Sequence, residues 1–213
     1  MAEKHQLDRS ILRAYDIRGI VGKTLHVKDA YYIGRAFATK LSKQFPGKRL
    51  RVCVGYDGRE SSPDMEKSLV KGLEESGVDI IRIGLGPTPM LYFAVKNLTA
   101  NGGIMITGSH NPQEYNGFKM LTSKETLYGD AIEQLGRTVG LGYFPEGDGT
   151  PMQDKTTFDK YIEALLGGFQ NPGKARKLKV AWDPGNGAAG DVVAKLCAQL
   201  PGEHVLINEK IDG

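Results

Sequence analysis

The residues best equipped for chemistry stand together in Thr107-Gly108-Ser109-His110-Asn111-Pro112. A serine hydroxyl beside an imidazole is a candidate nucleophile or group carrier, because the histidine can take or return a proton. Gly108 permits a backbone that exposes the hydroxyl, and Pro112 stiffens the exit. Asn111 stands where a G-x-S-x-G hydrolase elbow needs its second glycine, so that elbow is excluded. Taken alone, the segment also reads as a polar turn broken at Asn111-Pro112.

Other segments add charge and donors. Asn116-Gly117-Phe118-Lys119 brings a turn and a cation; Lys119 could neutralise a phosphate or, with a lowered pKa, exchange a proton. Near the start, Arg13-Ala14-Tyr15-Asp16-Ile17-Arg18-Gly19 offers the Arg18 fork for a phosphate and the Tyr15 hydroxyl, or simply an Asp16–Arg18 surface pair at a turn. Gly55-Tyr56-Asp57-Gly58-Arg59-Glu60-Ser61-Ser62 joins a strand to a helix start, a place that suits an anion or only a structural turn. Asp183-Pro184-Gly185-Asn186-Gly187-Ala188-Ala189-Gly190 matches G-x-G-x-x-G, but no acidic strand end follows at the distance a dinucleotide site needs.

Positioning these groups requires strands that stop at the motifs and helices that leave from them. Ile33, Phe37 and Leu41 predict a helix over 29–45. A strand over 51–56 precedes a helix with Ser62 as N-cap, Pro63 at its first position, Met65, Leu69 and Leu73 as its stripe and Gly77 as its stop. Strands are predicted at 78–83, 103–107 and 116–121, and helices at 90–97 and 130–139. The 15–19 motif precedes any strong periodic element. Strands alternating with helices predict an α/β layered domain, a mixed, largely parallel sheet between helices. Residues 141–154 carry Gly, Pro and acidic residues without an apolar period and predict a domain boundary. Beyond it, a helix at 156–166, a strand at 178–182, a helix at 188–200 and a strand at 205–208 make a βαβ unit too small for a robust domain. The expected division is 1–141 and 142–213, the second an incomplete α/β domain of similar type.

Composition narrows the function classes. With 28 Lys plus Arg against 25 Asp plus Glu, the net charge of +3 gives no electrostatic footprint for nucleic acid. Lys174-Ala175-Arg176-Lys177 reads as a solvated linker face. Cys53 and Cys197 sit in apolar segments and read as buried thiols of a reducing compartment. No apolar run is long enough to span a bilayer, and residues 1–9 have no signal-peptide core, so a cytoplasmic protein without membrane contact is expected. Nothing in the sequence fixes an oligomeric state. Glycine is the outlier, 28 residues in 213, which suits loops that approach a ligand closely.

Tyr15-Asp16-Ile17-Arg18-Gly19, Gly55-Tyr56-Asp57-Gly58-Arg59, the Ser109 segment, Tyr115-Asn116-Gly117-Phe118-Lys119 and Asp183-Pro184-Gly185-Asn186-Gly187 together resemble the α-D-phosphohexomutase family. The wording at 15–19 and 115–119 is nearest its phosphomannomutase/phosphoglucomutase branch. The resemblance implies an enzyme, an isomerase of carbohydrate metabolism that moves phosphate between the 1- and 6-positions of glucose or mannose phosphates. The path would run through a phosphoserine at Ser109 and a bisphosphorylated sugar, with glucose or mannose 1,6-bisphosphate as activator. It implies His110 and Lys119 as stabilising or proton-relaying groups at the reacting oxygens. Arg18 and Tyr15 would position the substrate or phosphoserine, and Asn111 would hold the loop. It also implies one Mg2+ held partly by the phosphate on Ser109, the other ligands lying beyond residue 213. The 213 residues are then the N-terminal part of the enzyme and are expected to lack turnover alone. The alternatives are a phosphoglucosamine mutase, or a non-catalytic nucleotide- or phosphate-binding module using the turns at Gly55 and Gly185.

Overall fold

A computed structural model of the chain describes residues 4–170 and 178–212. The basic run Lys174-Ala175-Arg176-Lys177 lies outside the described residues. A 3-10 turn at Arg9–Ile11 leads to strand β1 (Ile17–Ile20). Then follow α1 (Val27–Gln44), β2 (Leu50–Tyr56), α2 (Ser62–Glu74), β3 (Val78–Leu85), α3 (Thr88–Asn97), β4 (Gly102–Ile106), β5 (Tyr115–Thr122) and α4 (Asp130–Leu141). The chain continues with β6 (Pro151–Gln153), α5 (Thr157–Gly167), β7 (Lys179–Trp182), α6 (Gly190–Cys197) and β8 (Glu203–Leu206).

Six strands form one sheet in the order β1-β5-β4-β2-β3-β6. β2 runs parallel to β4 and β3, and β3 parallel to β6; β5 is antiparallel to both β4 and β1. This is the mixed, largely parallel α/β sheet expected from the alternation of elements. Both faces are covered, which is why the inner strands read as apolar runs. Leu50, Val52, Val54, Ile104, Ile106 and Phe118 pack toward α1, α2 and α4. Cys53, Ile81, Ile83 and Met105 pack on the other face, with Leu91 and Val95 of α3. The α1–α2 crossing is close: a Cβ on Gly72 would stand 2.1 Å from the Tyr31 carbonyl oxygen, and one on Gly34 2.6 Å from that of Leu69.

Two expectations change, and two short strands are added. The 15–19 motif, expected to precede any strong periodic element, runs into the edge strand β1 at residues 17–20, too short to show a period and revealed only by pairing with β5. Ser62 is not the N-cap but the first residue of α2; its hydroxyl is turned to Asp57 Oδ1 (2.7 Å), and Ser61 takes the cap position. α1 begins at Val27, two residues before the expected start, because Asp29 Oδ2 accepts the His26 N–H (2.7 Å) and caps an additional half-turn. Finally, within 141–154, where a domain boundary is expected, β6 extends the sheet beside β3. α5 follows onto the same body, its Tyr161 ring 5.5 Å from Phe93 of α3. The βαβ unit is as expected: β7 and β8 pair in parallel through α6, forming a separate two-stranded sheet.

Both cysteines are free thiols. Cys53 is fully buried, and burial, reinforced by the charge of Asp154, pushes its pKa up to about 12. Half-buried Cys197 is also raised by burial. Because the thiolate is the reactive form, Ellman's reagent at about pH 8 is expected to titrate Cys197 in the native protein and Cys53 only after unfolding. Equal native rates would contradict the packing around Cys53.

Candidate functional site

The candidate site forms where β4 ends. Its loop, 107–114, leaves the sheet between the parallel strand β2 and the antiparallel strand β5, at the carboxyl edge where open α/β sheets bind ligands. Ser109 has φ +54°, left-handed backbone that a serine adopts only at a cost of about 1–2 kcal/mol. Such a residue persists where its surroundings over-determine it, and here they do. The Ser109 N–H donates to Thr107 Oγ1 (2.8 Å), and the N–H and side-chain amide of Asn111 both donate to the Gly108 carbonyl (3.1 Å each). Arg18 donates to the same carbonyl. The Gly108 N–H donates to Asp57 Oδ2 (3.0 Å).

Beneath the loop lies Arg59. Its Nη1 donates to the carbonyls of Pro112 (2.6 Å) and Tyr115 (3.0 Å), and its Nη2 to those of Asn111 (2.6 Å) and Ser109 (3.1 Å). Its Nε donates to Asp57 Oδ2 (3.2 Å). Asp57 also accepts the Ser62 hydroxyl, and Asn116 donates to the hydroxyls of Ser61 (2.8 Å) and Ser62 (3.0 Å). The two loops at the ends of β2 and β4 are therefore one hydrogen-bonded unit. The role of Arg59 escaped the sequence because its acceptors are backbone carbonyls, which no residue pattern marks. The available signal was an arginine in a Tyr-Asp-Gly-Arg turn between a strand and a helix.

Ser109, His110 and Asn111 face a cleft of about 540 Å3, also lined by Asp57, Arg59, Gln113 and, from the second part of the chain, by Gly185–Ala188 and Asp212. Ser109 and His110 are exposed there, with Ser109 Oγ 3.5 Å from His110 Nδ1, the outer limit of a hydrogen bond. The Gly185 segment is a turn before α6; Asn186 is held by the carbonyls of Asn208 and Lys210, and Gly58 packs on Ile211. Those contacts place the turn against the Ser109 loop.

The remaining candidates stand elsewhere. Asp16 and Arg18 do pair (2.5 Å), but buried rather than on the surface, and the same Asp16 oxygen accepts the Lys119 ammonium (2.8 Å). Lys119 and Tyr15 line a neighbouring hollow of about 340 Å3 with Tyr92 and Tyr128. Tyr15 is 78% exposed. Arg18 thus joins the two places: one end of its guanidinium reaches the Ser109 loop, the other the Asp16–Lys119 pair. Its Nε is buried without a partner among the described residues.

The arrangement suits holding an anionic group on Ser109 beside a proton-exchanging histidine. It does not compose a Mg2+ site. Among the described residues no three His, Cys, Asp or Glu side chains converge, and of the cleft's two carboxylates Asp57 is already saturated by Arg59, Ser62 and the Gly108 amide. Divalent cations of this kind need several oxygen ligands.

A family model described as phosphoglucomutase/phosphomannomutase, alpha/beta/alpha domain I, matches residues 9–136. The phosphomannomutase/phosphoglucomutase of Pseudomonas putida is 42% identical over 97% of this chain and 43% of its own length. The phosphoglucomutase of Neisseria gonorrhoeae is 39% identical over 97% of this chain and 44% of its own. A crystal structure of a phosphoglucomutase/phosphomannomutase family protein from Burkholderia thailandensis superimposes with a TM-score of 0.86 at 38% identity, covering 95% of this chain and 44% of that one. The chain spans less than half the length of these relatives.

Proposed function

The chain belongs to the phosphoglucomutase/phosphomannomutase family, and on that footing we propose that Ser109 carries the phosphate of a hexose phosphate mutase. The observation that carries the reading is the Ser109 loop itself: an exposed serine held at positive φ at a strand end, beside a histidine, with its carbonyls committed to Arg59. Phosphoryl transfer asks for positioning and charge stabilisation more than for a strong nucleophile.

In this reading the free hydroxyl of a hexose 1-phosphate attacks the phosphorus on Ser109. The new O–P bond forms at the 6-oxygen as the bond to Ser109 Oγ breaks. The hydroxyl proton leaves through His110 or Lys119, and one returns to Oγ. The 1,6-bisphosphate then reorients, Ser109 Oγ attacks the phosphorus at position 1, and hexose 6-phosphate departs. Storing the phosphate covalently splits one difficult transfer into two. Arg18 and Tyr15 position the substrate or the phosphoserine, and Asn111 holds the loop. Glucose phosphates, mannose phosphates or both are the proposed substrates, with glucose or mannose 1,6-bisphosphate as activator. A Mg2+ at this loop would be held in part by a phosphate oxygen on Ser109 and would neutralise charge on the transferring group, and the described side chains do not complete its coordination. The proposed division is residues 1–141 as the phosphoserine domain and 142–213 as part of a second, with β6 pairing into the sheet of the first and α5 packing beside α3. Among the described residues no helix is long and apolar enough to cross a membrane, and a cytoplasmic enzyme without nucleic-acid partners is the setting proposed.

Intact-mass measurement tests the assignment. The purified protein is expected to carry a phosphate that phosphatase removes and Ser109→Ala abolishes; an adduct that persists in Ser109→Ala places the phosphate elsewhere and overturns it. The 213 residues alone, given glucose 1-phosphate, glucose 1,6-bisphosphate and Mg2+, are expected to form no glucose 6-phosphate above the blank.

A further inference from the structure

Arg59 lines the cleft beside Ser109, as an arginine that binds a substrate phosphate would, yet none of its donors is free. A guanidinium has five N–H bonds. Nη1 spends two on Pro112 and Tyr115, Nη2 two on Asn111 and Ser109, and Nε one on Asp57, while the side chain is only 12% exposed. Its contribution therefore has to pass through the loop it holds.

We propose that Arg59 is a positioning residue for phosphoryl transfer, which sets the direction of the peptide dipoles around the phosphate on Ser109; this rests on the reading of Ser109 as the phosphate carrier. A carbonyl bonded to Arg59 cannot also turn its lone pairs on a phosphate. In a trans peptide the next N–H points the opposite way, and no peptide of the described chain is cis. The Ser109 and Pro112 carbonyls are fixed on Arg59, so the N–H groups of His110 and Gln113 point away from it. Both residues line the cleft, and neither amide has an acceptor among the described residues. The neighbouring amides of Ser109, Asn111 and Tyr115 are by contrast already bonded within the loop. The loop thus offers a phosphate two oriented donors, and such donors need no reorganisation at the moment of transfer.

Lysine cannot replace this device. It keeps the charge beside Asp57, but its ammonium is a point donor without the planar fork that reaches four carbonyls at once. Freed carbonyls can then swing toward the anion.

The test uses the chain with phosphoserine installed at position 109 during translation, compared with the unmodified chain by amide NMR. The His110 and Gln113 amide protons are expected to move downfield on phosphorylation, and in Arg59→Lys that displacement should fall by at least about half as the charge-assisted bonds loosen. The wider amide spectrum should remain native. A native Arg59→Lys chain with the full displacement would overturn the proposal. Should Arg59→Lys not fold, the unsubstituted chain decides: amides that ignore the phosphate would equally overturn it. A phosphate absent from Ser109 in the purified protein would instead strike at the mutase reading, which this comparison does not touch.

Discussion

Replacing Phe118 with alanine is expected to lower the free energy of unfolding by about 3–5 kcal/mol, the cost of a large cavity in a packed core. Phe118 is fully buried and lies opposite Ile17 of β1 on one side and Ile106 of β4 on the other. Both neighbours are themselves fully buried on the same face, so the ring fills a row shared by three strands. Aromatic side chains bury large areas, and interiors are too closely packed to collapse around the loss. The damage should also be local. β1 carries Arg18 and, among the described residues, pairs with the rest of the sheet only through β5, so loosening residue 118 frees the strand that braces the Gly108 carbonyl. Urea denaturation measures the stability, and hydrogen exchange at 17–20 measures the fraying. Tyr143→Ala, at a residue 81% exposed, serves as the comparison and should stay within about 0.5 kcal/mol of the parent. A Phe118→Ala loss below about 1 kcal/mol would mean that β1 repacks and that the row is not what holds it.

The contrast between Phe118 and Ile17 shows where the sequence was legible. Elements long enough to show a period announce themselves: Ile33, Phe37 and Leu41 mark α1, and Met65, Leu69 and Leu73 mark α2. β1 has four residues and β6 three, too few for any alternation, and each exists because a partner strand distant in sequence supplies its hydrogen bonds. β6 is moreover wholly exposed along its length, so it lacks even the apolar content that marks an inner strand. Edges of sheets are defined by pairing, and pairing is not a local property.

The site divides in the same way. The Ser109 loop could be read because its chemistry is in its side chains and its place follows from the strand before it. The separation of Lys119 and Tyr15 from the Ser109 cleft could not be read, since it depends on the antiparallel return of β5 past β4. That return also places Asp16 between two cations, Arg18 and Lys119, so the trio carries one net positive charge rather than two. Lys119 is consequently a cation already shared with a carboxylate.

Gly108→Ala is expected to damage the site severely while sparing the fold. A Cβ there would fall 2.0 Å from Arg59 Nε, 2.1 Å from its Cζ and 2.5 Å from its Nη2. Arg59 cannot step aside cheaply, because moving its guanidinium breaks bonds to four carbonyls and to Asp57 together. Nor can Gly108 retreat: its N–H is held by Asp57 and its carbonyl by Asn111 and Arg18. Overpacking of a buried position costs about 1–3 kcal/mol, and the whole chain should tolerate that, since the sheet and both helical layers lie outside the strained loop. The loop should not. Displacing a reacting group by about 1 Å can cost about 100-fold in rate, so, on the proposed reading of Ser109 as the phosphate carrier, phosphate occupancy at Ser109 should fall at least tenfold while the thermal transition moves by only a few degrees. Phosphate occupancy by intact mass and the melting temperature are measured on the same sample. Retention of full occupancy would show that the contact between Gly108 and Arg59 is not what fixes Ser109. Loss of occupancy with a collapsed transition would show instead that the two loops are needed for folding as a whole. Only a loss at Ser109 with the fold intact agrees with a rigid loop whose shape, set by one glycine and one arginine, is what holds the phosphate in place.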